Sequence, residues 1–196
     1  APSSTPSKTP RPTRTATAYP IRAGWTDHSA ADFRLALPDR WQAVNVTEKG
    51  IEAILETAKK LDSEWAQKVA EQYSAENLKE SVKFWATDTK EMGGNHATMN
   101  VVSQELPESI TLNAAVEQVG AAVKNMGVQI VASSYRAKIN GLDAARLTLR
   151  MRVGSVTVQE YTYLYKRGDK LWAVTYGVDQ RYWNTYASTF DASARS

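Results

Sequence analysis

The 196-residue chain contains no cysteine and only two histidines, His28 and His96. The first absence removes disulfides, thiol nucleophiles, iron–sulfur clusters and every cysteine-containing zinc site. The second leaves no local pair of imidazole ligands, because the two histidines are far apart in sequence. No apolar run approaches the ~20 residues that a membrane-spanning helix needs. The phosphate-binding loops G-x-G-x-x-G and G-x-x-x-x-G-K-S/T are missing, as is the G-x-S-x-G elbow of serine hydrolases. Charge of one sign is also scarce: the formal net charge is +3. That excess lies in residues 1–31, where Lys8, Arg11, Arg14 and Arg22 face a single Asp27, and the remainder of the chain is balanced. A domain that reads nucleic acid carries its basic face on the folded part, so no nucleic-acid partner is expected.

What is present divides the chain in two. Residues 1–20 hold five of the seven prolines and lack Leu, Val, Met, Phe and Trp. Ordering such a segment costs entropy and buries nothing in return, while proline among Ser and Thr gives an extended spacer. Residues 1–31 are therefore expected to be a disordered Thr/Pro-rich stalk and residues 32–196 the folded domain. A stalk of this composition, in a chain that starts at Ala1, fits an exported protein whose signal peptide is gone. It also fits a low-complexity linker of a cytosolic protein. Membrane attachment would come only through a lipid anchor on a residue before Ala1.

The domain alternates strand and helix signals. Phe33 to Leu37 has strand period, Pro38-Asp39-Arg40 turns the chain, and Trp41 to Val46 reads as the partner strand. Ile51, Ile54, Leu55, Ala58, Leu61, Trp65, Val69 and Tyr73 form one stripe, predicting an amphipathic helix over 47–73. Strands follow at Val82–Asp88 and Ala97–Leu106, then a helix capped by Ser109 or Thr111 and ended by Gly127. Asn140-Gly141 between β-rich runs marks a hairpin, and Gly154-Ser155 and Arg167-Gly168-Asp169 turn the chain twice more. Tyr182, Tyr186 and Phe190 at i, i+4 and i+8 predict a closing helix. Strands joined by hairpins, with helices to cover them, predict an α+β domain on a mostly antiparallel sheet.

Few residues offer chemistry. Asp88, Glu91 and His96 flank the Gly93-Gly94 loop and are the candidate metal ligands, oxygen and imidazole donors being the right types for a divalent ion; a solvated hairpin loop explains the same residues. Tyr161, Tyr163 and Tyr165 share one face of a strand. With Trp172 on the next strand, and Trp85 elsewhere in the sheet, they are the candidate aromatic binding surface, which stacks sugars, bases or apolar groups; half-buried core under a helix explains them equally. Arg146, Arg150 and Arg152 share a face of the preceding strand. No catalytic residue and no cofactor are expected.

Four stretches together resemble the PsbP-like superfamily over residues 32–194. They are Phe33-x-Leu35-x-Leu37-Pro38-Asp39-Arg40-Trp41, Phe84-Trp85-Ala86-Thr87-Asp88 with Asn100-Val101-Val102, Met126-Gly127-Val128 with Ile139 to Leu147, and Tyr161 to Tyr176 with Phe190. The resemblance implies a three-layer α/β/α sandwich around a central antiparallel sheet. It implies no catalytic motif, since members are binding or assembly factors: photosystem subunits, envelope lipoproteins, a regulator of nuclear import and chaperones of secreted effectors. The helix expected over 47–73 sets the chain nearer the exported proteins of non-photosynthetic bacteria than the photosystem subunits. The expectation is thus an extracytoplasmic, monomeric, non-enzymatic domain that engages a protein or a small apolar ligand. Two alternatives stand beside it: a metal-dependent enzyme built on the 88–96 loop, and a cytosolic chaperone-like domain for apolar helices.

Overall fold

The computed structural model describes residues 22–196 apart from 31, 45, 48–49, 53–54, 56–74 and 140. Nine strands are described: β1 (Trp25–Ser29), β2 (Arg34–Pro38), β3 (Trp41–Ala43), β4 (Val82–Asp88), β5 (Thr98–Glu105), β6 (Gln129–Ile139), β7 (Leu142–Val153), β8 (Val156–Arg167) and β9 (Lys170–Asp179). The helices are α1 (Ala75–Ser81), α2 (Leu112–Asn125) and α3 (Trp183–Ala194). Most of the helix expected over 47–73 lies outside the described residues.

Strands β3 to β9 form one seven-stranded sheet in the order β3-β4-β5-β9-β8-β7-β6, antiparallel at every pairing. The three successive hairpins of β6 to β9 follow from the turn residues. Gly141, Gly154 and Gly168 all take the left-handed backbone that tight turns require. Alternation along the strands then divides the side chains. Ala145, Leu147, Leu149 and Leu164 face α2, and Ala144, Tyr163 and Tyr176 face α3.

Helix α2 is bounded as its sequence requires. The Thr111 hydroxyl accepts the Ala114 N–H at 3.2 Å at its start. Gly127, at φ 80°, ends it, with its N–H bonded to the Lys124 carbonyl. Its buried face is small, Ala115, Val116 and Gly120, so the helix lies close to the sheet. A methyl group on Gly120 would already touch Ile130.

The opposite face is covered differently from expectation. Strand β2 does not pair with β3; it pairs with β1, in a separate two-stranded sheet. The Pro38-Asp39-Arg40 turn thus carries the chain from one sheet to the other. Its Asp39 N–H bonds to the Gly24 carbonyl, and its carboxylate accepts the Thr26 hydroxyl at 2.8 Å. Strand β1, at Trp25–Ser29, therefore lies within the range assigned to the stalk, whose residues 1–21 are outside the described residues. The bias of composition stops at Pro20, and what recruits the next residues is tertiary: Trp25–Ser29 gains a ladder with β2, fastened by Arg34 on Asp27. Leu35, Ala36 and Leu37 are all buried because β2 is enclosed between the main sheet and α3. The layers are α2, the sheet, and α3 with the β1–β2 hairpin.

Helix α3 buries Tyr186, Phe190 and Ser193, at i, i+4 and i+7. At one end Tyr186 donates to Asp88 at 2.7 Å. That carboxylate, fully buried, also accepts the Arg40 Nε on both oxygens, at 2.9 and 2.7 Å, and the Lys90 N–H at 2.9 Å. Burial pushes the Tyr186 hydroxyl up to about 12, so it remains a donor throughout the ordinary pH range.

Glu160 of β8 sits on the α2 side, opposite Gly177 and Leu149. A methyl on Gly177 would lie 3.1 Å from its Oε1, so the Glu160 side chain would have to give way by a few tenths of an ångström. It is half-buried, without a hydrogen bond or ion pair among the described residues. Burial pushes its carboxyl up to about 7 from 4.5.

Two measurements test these arrangements. R40M leaves a buried carboxylate short of its cation and is expected to destabilise the fold by about 2–4 kcal/mol in urea unfolding, against about 1–2 for Y186F. For Glu160 the raised value means that the folded state holds the proton more tightly than the unfolded chain. No stability is lost below about pH 4.5, and the loss is complete above about pH 7. E160Q is therefore expected to stabilise the protein by about 1–3 kcal/mol at pH 8 and by nothing at pH 4, measured by urea unfolding at both.

Candidate functional site

Asp88, Glu91 and His96 do not converge on a point where a cation could sit. Both oxygens of Asp88 are spent on Arg40, Tyr186 and the Lys90 amide. His96 turns its Nδ1 to the Asp88 carbonyl at 2.9 Å, and Glu91 is exposed. The loop is shaped instead by a Met92–Asn95 bridge, which folds Met92 into the core. Among the described residues no group of three His, Asp or Glu could hold a metal ion. Asp88 belongs to the frame.

The aromatic candidates separate into three groups. Tyr161 and Tyr163 lie beneath α3. Tyr163 is buried, its hydroxyl donating to Asp191, and Tyr161 is clasped between Trp183, at 4.5 Å in T-shaped contact, and the Arg146 guanidinium, 4.4 Å from its ring centre. Arg146 completes the set with a 3.0 Å contact to Asp191. Trp85 lies on the opposite face of the sheet, because its neighbours in β4, Phe84 and Ala86, point to the α3 side. Tyr165 and Trp172 remain, paired across β8 and β9 beyond the end of α3.

These two line a cavity of about 240 Å³, the candidate site. Its floor is the sheet, with Val101, Val174 and Tyr176; Phe33 and Leu35 form one wall, and the C-terminal end of α3 forms the other. Phe33 contacts Trp172 at 6.3 Å and Phe84 at 5.9 Å between ring centres, both tilted. The space has room for a small ring system or a short chain.

The walls are fixed by a chain of hydrogen bonds. Tyr176, whose hydroxyl is raised by burial, donates to the Ser193 hydroxyl at 2.9 Å. Ser193 donates to the Ala36 carbonyl at 2.7 Å, and the Ala36 N–H reaches the Ser196 hydroxyl at 2.7 Å. Tyr165 donates to the Ala194 carbonyl at 3.2 Å. Floor, helix end and β2 are thereby tied together, so the cavity is formed before anything enters it. Its lining combines apolar and aromatic surface with the hydroxyl-bearing Tyr165, Ser193 and Ser196 and the charged Asp32, Arg34 and Arg167.

Phe33 and Leu35 were legible in the sequence as strand residues and not as a wall. Nothing in a period of two distinguishes a strand of the main sheet from one that leaves it. The signal that could have found the site is the β1–β2 pairing, recorded only in the opposition of Asp27 and Arg34.

No family model matches the sequence, and no curated protein matches it. Solved structures do. PsbP of the cyanobacterium Synechocystis sp. PCC 6803 (CyanoP) aligns with a TM-score of 0.58 over 92% of this chain and 95% of its own, at 16% identity. PA94 of Pseudomonas aeruginosa, a protein of unknown function, aligns at 0.48 over 89% and 96%, at 10% identity. The nearly full coverage of CyanoP, together with the seven-stranded antiparallel sheet covered on both faces, establishes that this chain has the PsbP-like fold.

Proposed function

We propose that this domain is an extracytoplasmic binding module, not a catalyst, and that it takes a small apolar ligand in the cavity between β2, β9 and the end of α3. The observation that carries the reading is the preformed cavity itself. Phe33, Tyr165 and Trp172 meet at a place where the sequence alone would have spent them on core, yet they leave about 240 Å³ between them. The space is a recess open to solvent and lined by apolar and aromatic side chains with a few polar groups, the form that small-molecule sites take. The reading of Asp88 supports binding over metal-dependent catalysis, because the carboxylate that such an enzyme would use is enclosed by its own partners. The extracytoplasmic address rests on the Thr/Pro-rich segment at residues 1–20. It is tested by cell fractionation of the native host, in which recovery with the cytoplasmic fraction would refute it.

Ligand binding is tested with an uncharged fluorescent probe, N-phenyl-1-naphthylamine, on the full chain. Its emission is expected to rise on mixing, and W172A is expected to weaken binding about tenfold, or ~1.4 kcal/mol, while W85F on the other face changes nothing. Equal binding by W172A, or none by the unaltered protein, would refute the reading.

A further inference from the structure

Strand β1 meets the main sheet through one titratable ring. Of its five side chains only those of Trp25 and His28 are half-buried. Trp25 lies under the Arg22 guanidinium, 5.7 Å from its ring centre. His28 makes the one ring contact between β1 and the main sheet among the described residues, 5.1 Å from Phe84 of β4 with the planes tilted by 47°. The two ends of β1 are thus held by different means. At the Trp25 end the grip is hydrogen bonding: the Thr26 hydroxyl donates to the Asp39 carboxylate, and the Asp39 N–H to the Gly24 carbonyl. Toward Ser29 it is the His28 ring, with Phe33 on the same Phe84.

The His28 Nε2 is closed from water and has no hydrogen-bond partner. A neutral imidazole can leave that nitrogen without a proton, and the ring then packs as an apolar surface. In the protonated ring both nitrogens are donors, and Nε2 would carry a charged N–H with no acceptor. The face of Phe84 offers a cation some attraction but no lone pair. The surrounding charges are already engaged. Asp27, next in the chain, draws His28 toward the protonated form, but its carboxylate holds Arg34 of β2 at 2.9 Å. Asp32, in the connection from β1 to β2, lies 3.9 Å from Lys170. Lys83, beside Phe84 in β4, donates to the Glu80 carbonyl. Burial outweighs the pull of Asp27 and holds the imidazole below its ordinary value of 6.5.

We propose that β1 is an acid-loosened strand: protonation of His28 unseats its ring from Phe84 and frees the Ser29 end of β1 from the main sheet, while the Trp25 end stays fastened. The enclosed ring takes a proton less readily than the free one, so the loosened form gains as the pH falls through about 6.5. Protonation of Glu160 acts in the opposite sense, favouring the folded state as the pH falls, so its titration does not imitate that of His28. The loosening does not depend on the recess taking a ligand.

The test is hydrogen exchange of the β1 amides in the full chain at pH 7.5 and pH 5.5, corrected for the intrinsic pH dependence of exchange. One unit below the value of a free imidazole the loosened form gains up to about tenfold. Protection of β1 is therefore expected to fall by about three- to tenfold at pH 5.5, while β7 and β8 keep theirs. H28F, which leaves a ring on Phe84 and removes the titration, is expected to hold β1 equally at both pH values. A fall of less than about threefold in the unaltered protein would overturn the proposal. So would a fall that persists in H28F, or one shared equally by β7 and β8. Should H28F not fold, the NMR titration of the His28 ring in the unaltered protein decides: a midpoint below 6.5 upholds the proposal, and one at or above 6.5 overturns it.

Discussion

The carboxylate of Asp88 is the point on which the described architecture turns. It has no exposure to water, and an ionised carboxylate there is tolerable only with its charge and lone pairs fully matched. The match is assembled from three separate places: the turn after β2 gives Arg40, the loop after β4 gives the Lys90 amide, and α3 gives Tyr186. Satisfying one buried acid therefore fixes where the chain crosses from the small sheet to the large one and where the closing helix begins its contact with the sheet. This is why the same carboxylate is unsuited to hold a metal ion: an ion would have to displace the contacts that position the helix.

The far end of α3 is set by a second, uncharged network, and the cavity lies between the consequences of the two. Ser193 is central there because a serine hydroxyl both donates and accepts. It accepts from Tyr176 below and donates to Ala36 beside it. A larger side chain would push the helix from the sheet, and an apolar one would leave the Tyr176 hydroxyl buried without a partner. Between Tyr186 and Ser193, Asp191 gathers Tyr163 and Arg146. The helix is thus pinned along its length, and the space past its last turn is left open by geometry, with Tyr165 reaching only the Ala194 carbonyl.

Much of this was legible in the residues. The strands Val82–Asp88, Leu142–Val153 and Val156–Arg167, the turns at Gly141, Gly154 and Gly168, and the Thr111 to Gly127 limits of α2 follow from period, propensity and caps, all local properties. The order of those elements, with the four stretches from Phe33 to Phe190, was enough to suggest the PsbP-like fold. What was not legible was non-local. The sequence of Leu35 and Trp41 around a Pro-Asp turn reads as a hairpin, because a turn signal says that the chain reverses and not which sheet receives each arm. Strand β1 was hidden by its position after a biased segment, although the bias itself ends at Pro20.

The aromatic residues show the same limit at the scale of a site. Alternation correctly puts Tyr161, Tyr163 and Tyr165 on one face, and the three then have different surroundings only because α3 is twelve residues long and stops above Tyr165. Two tyrosines become core beneath a helix; the third, beyond its end, becomes the wall of a cavity. Whether an aromatic is structural or available is decided by where its cover ends, and the cover comes from a segment of chain separated from it by a whole strand. Phe33 completes the wall from the other direction, more than a hundred residues away in sequence. The site is thus a property of two boundaries, the last turn of α3 and the departure of β2 from the main sheet, and each is fixed by one of the hydrogen-bonded networks, not by the aromatic residues that line it.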